Sequence, residues 1–254
     1  MQSKALVIFF SFLPSALGHP TLDGRQTQDC EAVHVFLARG TSEDYPGRQI
    51  SVVNAVCSGI SSCGYEDIQY PASFVPDYCT SVGVGVVNGT SQITAYATRC
   101  PNAQLVLSGY SQGAQVVGNI LGGQSGGSTG CTTQDSTGLD PSSSPAVQSG
   151  FRCRQGVISR KLILSAVAAA AFFGDVTHVG NQTYNVESGA PFDGIYPRTG
   201  TQLERLNVFS TKLRSWCLAD DPVCALGNDG AAHTSYFTLF SEEAGAWVQT
   251  KLTL

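Results

Sequence analysis

Short apolar runs that alternate with amphipathic helical patterns limit this chain more than any other feature. Val33–Ala38, Glu66–Tyr70, Gln104–Gly109, Val167–Phe173 and Leu206–Phe209 each read as a strand. Between and after them Ile50–Ser58, Thr90–Arg99, Ser111–Leu121, Ile158–Ser165 and Ser241–Lys251 read as helices. Strands separated by helices are the pattern of βαβ units, whose crossover helices cover both faces of a parallel sheet. With 254 residues, 42% of them hydrophobic and 13% charged, the chain has the apolar surface for one domain with a sizeable core. Gly122–Gly150, rich in Gly, Ser, Thr and Pro, reads as a surface excursion inside that domain. No internal repeat is seen, and no second module is expected after the last helix.

Residues 1–18 carry one lysine, Lys4, then an apolar stretch from Ala5 to Leu13, and close on Ala16-Leu17-Gly18. That order predicts a secretory signal peptide, because the apolar run falls short of the roughly 20 residues that cross a bilayer. Residues 19–29 read as a short pro-segment or a loose terminus ahead of a domain at 30–254. All nine cysteines (30, 57, 63, 79, 100, 131, 153, 217 and 224) come after the leader. In an oxidising compartment they form disulfides, and their spacings lack the paired C-x-x-C of zinc sites, so no metal is expected. Nine is odd, which leaves at least one thiol free or bonded between chains. Asn88-Gly89-Thr90 and Asn181-Gln182-Thr183 are N-glycosylation sequons, expected on the surface. Fourteen Lys+Arg against 19 Asp+Glu leave no basic surface to neutralise phosphates, which argues against nucleic acid.

The string G-x-S-x-G occurs at Gly109–Gly113, Gly123–Gly127 and Gly126–Gly130. A nucleophile elbow needs a strand, a sharp turn and a helix, because strained backbone at the turn lifts the serine Oγ above the sheet. Only the first match has that context: Gln104-Leu105-Val106-Leu107-Ser108 is an apolar strand, and Gln112-Gly113-Ala114-Gln115-Val116-Val117 opens an amphipathic helix. Ser111 is therefore the candidate nucleophile. Ser125 and Ser128 lie in the excursion, where such strings arise from composition.

A serine hydroxyl needs a base to take its proton, and that base needs a carboxylate to fix its tautomer. Of the four histidines, His19 lies at the leader edge and His34 reads as a core residue of the first strand. His178, three residues after Asp175, reads as part of a local turn, and the order Ser, acid, His favours His233. The acid is sought in Cys217-Leu-Ala-Asp220-Asp221-Pro-Val-Cys224, where a disulfide would stiffen the loop. Physics alone leaves Asp220 and Asp221 open, with Asp229 a weaker third option in a Gly-Asn-Asp-Gly turn.

From about Cys30 to Leu254 the chain resembles the cutinase and acetylxylan esterase family of secreted α/β-hydrolases. The shared marks are a cysteine before strand one, Ala38-Arg39-Gly40-Thr41 after it, Cys100-Pro101 before the elbow strand and Gly109-Tyr110-Ser111-Gln112-Gly113. Phe173-Gly174-Asp175 and Asp221-Pro222-Val223-Cys224 followed by His233 complete them. The resemblance implies a three-layer sandwich with a central five-stranded parallel sheet and no lid domain. It implies catalytic Ser111, Asp221 and His233, an oxyanion hole of Thr41 and Gln112, and disulfides Cys30–Cys100 and Cys217–Cys224. The other five, Cys57, Cys63, Cys79, Cys131 and Cys153, fall outside the resemblance; Cys57–Cys63 and Cys131–Cys153 are the pairing expected among them.

The resemblance further implies a secreted, monomeric serine esterase working without a cofactor, since nucleophile, base and electrophile all come from the chain. The family divides between deacetylation of xylan and cleavage of cutin-type polyester. Tyr70-Pro71-Ala72 and Asp221-Pro222 favour the former, with cutinase the alternative. A secreted binding protein that keeps the fold without the chemistry is the distant alternative, and every catalytic position here holds a competent residue.

Overall fold

A computed structural model describes residues 30–75, 77–124, 131, 138–139 and 166–254. Its elements in chain order are β1 (Val33–Ala38), α1 (Ile50–Cys57), β2 (Cys63–Asp67), α2 (Tyr78–Arg99), β3 (Gln104–Tyr110) and α3 (Gln112–Gly122). After the excursion come β4 (Val167–Phe173), β5 (Asn185–Val186), α4 (Gly200–Asn207), β6 (Leu213–Trp216), α5 (Gly230–Thr234) and α6 (Tyr236–Gln249). The strands form one sheet in the order β2-β1-β3-β4-β6-β5, and every pairing is parallel.

Successive side chains of a strand point to opposite faces, so a strand covered on both sides is apolar throughout. In β1, Val33, Val35 and Leu37 pack with Val52 and Val56 of α1 and with Trp247 and Val248 of α6. Phe36 and Ala38 pack on the other face, with Ile93 of α2, Val116 and Ile120 of α3, and Leu206 of α4. Two apolar cores thus sandwich the sheet, and the α/β-hydrolase architecture expected above is present.

The sheet has six strands where five were expected, and the differences have local causes. Leu206–Phe209 is not a strand: Leu206 lies on the buried side of α4, and Phe209 is buried just beyond it. The strand is Leu213–Trp216, whose pattern is broken on paper by Arg214; the Arg214 guanidinium lies over the Trp216 and Trp247 rings instead of leaving the sheet. A two-residue edge strand, β5, adds the sixth. β2 pairs over Cys63–Asp67, not Glu66–Tyr70, because it is an edge strand with faint alternation, and the buried Ile68 and Tyr70 come after the pairing.

Helix α2 starts at Tyr78, twelve residues ahead of the expected Thr90, capped by the Asp77 side chain, which accepts from Thr80 N–H at 3.0 Å. Its glycines argue against helix in sequence, but two of them serve packing: a Cβ at Gly85 would stand 2.9 Å from Val116, and one at Gly89 2.6 Å from Ile120. The last helix begins at Tyr236, ahead of the expected Ser241.

Cys30–Cys100, Cys57–Cys63 and Cys217–Cys224 are bonded as expected. Cys131 is not paired with Cys153. It bonds Cys79 in the first turn of α2, with Cα atoms 5.1 Å apart, within the span a disulfide bridges. Cys153, the expected helix Ile158–Ser165, the leader at 1–18, the segment 19–29 and most of 122–150 lie outside the described residues. Of that excursion, Cys131 and Leu139 are buried, and Leu139 N–H donates to the Ile120 and Leu121 carbonyls at the end of α3. Among the described residues no helix is long and apolar enough to cross a membrane.

Candidate active site

Ser111 stands between β3 and α3 with φ at +54°, a left-handed conformation that a side-chain-bearing residue rarely adopts. The turn is held by Ser111 N–H donating to the Phe173 carbonyl at 2.9 Å. Both glycines of the motif are needed for close approach. A Cβ at Gly113 would overlap the Ala38 carbonyl of β1, and one at Gly109 would stand 2.6 Å from Ala114 Cα. The helix therefore sits directly on the strands and projects Ser111 at the carboxyl edge of the sheet.

His233 comes from the one-turn helix α5. Its Nε2 lies 2.9 Å from Ser111 Oγ, and its Nδ1 lies 2.8 Å and 3.0 Å from the two oxygens of Asp221. The imidazole is set by its neighbours: Tyr110 Oη donates to the His233 carbonyl at 2.8 Å and its ring lies beside the imidazole. A Cβ at Gly174, where φ is +55°, would stand 2.8 Å from His233 Cε1. Gly174 is thus the residue that leaves room for the ring.

Asp221 is fully buried inside the Cys217–Cys224 loop. Burial alone would push its carboxyl up; hydrogen bonds from His233, Tyr236 Oη (2.6 Å) and Val223 N–H (2.6 Å) outweigh that and hold it below the ordinary carboxylate range. Of the three candidate acids, Asp221 is the one whose carboxylate meets His233. Asp220 is exposed and offers only its backbone carbonyl, which takes Asp229 N–H. Asp229 caps α5 by accepting from Ala231 N–H at 2.8 Å, so it positions the helix that bears His233.

Thr41 meets Gln112, the residue after Ser111, with Gln112 Nε2 3.3 Å from Thr41 Oγ1. As the first residue of α3, Gln112 has a backbone N–H with no carbonyl to serve inside the helix. The loop bearing Thr41 is clamped by Arg39, which donates to the Glu43 and Pro71 carbonyls and stacks on Tyr45. Below the elbow, Gln49 donates to the Ala38 carbonyl at 2.7 Å and accepts from Ser108 Oγ at 2.5 Å.

The two other described histidines, His34 and His178, are core residues, and His19 lies outside the described residues. His34 stacks on Tyr96 with Nδ1 3.2 Å from Glu31. His178 is buried with Nδ1 3.1 Å from Ser215 Oγ, and burial depresses its pKa below 6.5. Sequence reasoning missed Tyr236, Gln49 and Ser108. Tyr236, one helical turn past His233, carried a weak signal; the polar pair carried none. Of the sequons, Asn181 is exposed, whereas Asn88 is half-buried on α2 with its amide nitrogen donating to the Gln69 carbonyl at 2.7 Å.

The doubly covered parallel sheet, the elbow and the Ser111–His233–Asp221 alignment define an α/β-hydrolase. Within that class the cutinase family model matches residues 29–252. The chain belongs to the cutinase family and is a carboxylic-ester hydrolase. It is 31% identical to an acetylxylan esterase of Hypocrea jecorina over 99% of this chain and 77% of that protein. It is 28% identical to Cutinase 11 of Verticillium dahliae over 99% of this chain and 78% of that protein. The catalytic core domain of acetyl xylan esterase from Trichoderma reesei superposes with a TM-score of 0.71 at 31% identity, covering 88% of this chain and all of that one (100%).

Proposed function

We propose that this protein is an extracellular serine esterase that works through an acyl-enzyme on Ser111, and that its substrate is the acetyl ester of xylan. The observation that carries the mechanism is the unbroken line from Ser111 Oγ to His233 (2.9 Å) to Asp221 (2.8 Å). His233 Nε2 takes the serine proton as Oγ attacks the ester carbonyl. Asp221 keeps the proton on Nδ1 and stabilises the imidazolium that forms. Backbone N–H groups of Thr41 and Gln112, with the Thr41 hydroxyl, hold the oxyanion. The alcohol departs with the proton from His233, and water repeats the sequence to release the acid.

Likeness to the acetylxylan esterases supports the choice of acetyl ester. Cutin-type polyester is the second reading, supported by exposed apolar residues on segments that are hydrogen-bonded near the site. Phe74 and Val75 come after Ser73, whose carbonyl takes the Gln112 amide. Ile195 and Tyr196 hang from the Val223 and Val176 carbonyls. Four disulfides among the described residues support an extracellular location. The exposure of Asn181 makes it the preferred glycan acceptor over Asn88.

Ser111→Ala should lower hydrolysis of p-nitrophenyl acetate by roughly 10³-fold or more without unfolding the chain, and retained turnover would refute the nucleophile. Rates on acetyl, butyryl and longer p-nitrophenyl esters, together with acetylated xylan, decide the substrate. A steep fall beyond acetate supports xylan, and a maximum at butyrate or above supports cutin.

A further inference from the structure

Gln112 is gripped by its side chain as well as by its place in α3. Its amide oxygen Oε1 accepts from Ser81 Oγ at 2.9 Å, and its nitrogen Nε2 donates to the Ser73 carbonyl at 3.0 Å and to Thr41 Oγ1 at 3.3 Å. Ser81, buried in the first turns of α2, also accepts from Ser73 N–H at 3.0 Å.

Chemistry fixes the direction of each bond. A backbone N–H only donates, so Ser81 Oγ receives from Ser73 and has its single proton left for Gln112 Oε1. The Ser73 carbonyl only accepts, so the nitrogen end of the Gln112 amide faces it. The second Nε2 proton then points at Thr41 Oγ1. A hydroxyl that accepts from an amide keeps its own proton to give, and among the described residues nothing takes the Thr41 proton.

We propose that Ser81 is a positioning residue of the oxyanion hole: with Ser73 it locks the Gln112 amide so that the Thr41 hydroxyl is held as a donor toward the oxyanion. The proposal rests on the reading of Thr41 and Gln112 as the oxyanion hole. Ser81 touches neither substrate nor serine. Its effect is largest in the transition state, because a bond from the Thr41 hydroxyl strengthens as charge develops on the carbonyl oxygen.

The test is a double-mutant cycle on a short-chain p-nitrophenyl ester. Ser81→Ala should lower kcat about tenfold, the size of one lost hydrogen bond to a developing charge, with KM unchanged. Thr41→Val should lower kcat roughly a hundredfold, and adding Ser81→Ala to it should cost nothing more. In Thr41→Ser, which keeps the hydroxyl, Ser81→Ala should again cost about tenfold. An unchanged kcat in Ser81→Ala, or the same loss in the Thr41→Val background as in wild type, overturns the proposal. If Ser81→Ala loses the fold, Ser81→Thr and Ser81→Val, alike in shape and different in the hydroxyl, should show the same ratio, and equal kcat values overturn it. Ser111→Ala assayed alongside separates the failures: turnover surviving there overturns the site itself, whereas an inactive Ser111→Ala with wild-type kcat in Ser81→Ala overturns only the role of Ser81.

Discussion

Asp221 carries its charge where burial opposes one, and the hydrogen-bond donors around it explain how. Tyr236 Oη and the imidazole reach one carboxylate oxygen while Val223 N–H reaches the other. In Asp221→Asn the side-chain nitrogen cannot accept, so His233 adopts the tautomer with its proton on Nε2 and cannot take the serine proton. The expected result is a fall in kcat of roughly 10³–10⁴-fold with KM little changed, read by steady-state kinetics. The same carboxyl has a pH signature. Its folded pKa lies below the ordinary value of 3.8, so the unfolded chain binds the extra proton in acid. The stabilisation it supplies is full above that ordinary value and is lost as pH falls through the lower folded one. Wild-type Tm should therefore drop more steeply between about pH 5 and pH 3 than that of Asp221→Asn. At this scale the strand, turn and helix around Ser111 were legible in the sequence. The choice of Asp221 over Asp220 was not legible in spacing, since both lie in one loop and only the fold turns one of them inward.

Glycines show how elements are brought to the site. Gly113 lets α3 lie on the Ala38 carbonyl, so Gly113→Ala should push the helix from the sheet, lower Tm by many degrees and abolish turnover. Gly83, in the interior of α2, has nothing within 4 Å of a built Cβ, so Gly83→Ala should raise stability by up to about 1 kcal/mol through helix propensity. Thermal unfolding of the two variants separates packing from propensity. What was legible among the elements obeys the same division. β1, β3 and β4 are buried on both faces and stand out as apolar runs, whereas β6 was hidden by Arg214, whose charge lies over tryptophan rings. The early start of α2 was hidden by glycines that exist to pack against Val116 and Ile120.

Across the whole molecule, disulfides tie the ends of elements that serve the site. Cys30–Cys100 closes 70 residues, joining the chain before β1 to the end of α2. In the loop-entropy model that bond contributes roughly 4 kcal/mol. Replacing both cysteines with alanine should lower Tm by about 8–16 °C for a domain of this size while leaving kcat near wild type at 25 °C, read by calorimetry and assay. Cys79–Cys131 was not legible, because the pairing of distant cysteines depends on which turns the fold brings together; it anchors part of the excursion beside the helix that bears Ser81. On the mechanism proposed above, the hydroxyl of Ser111, and no other, attacks the ester carbonyl. A p-nitrophenyl alkylphosphonate, with peptide mass mapping of the product, measures this directly. One adduct per chain on the Ser111 peptide, formed in step with loss of activity, is the expected result; adducts on Ser125 or Ser128, or full activity without an adduct, would contradict it.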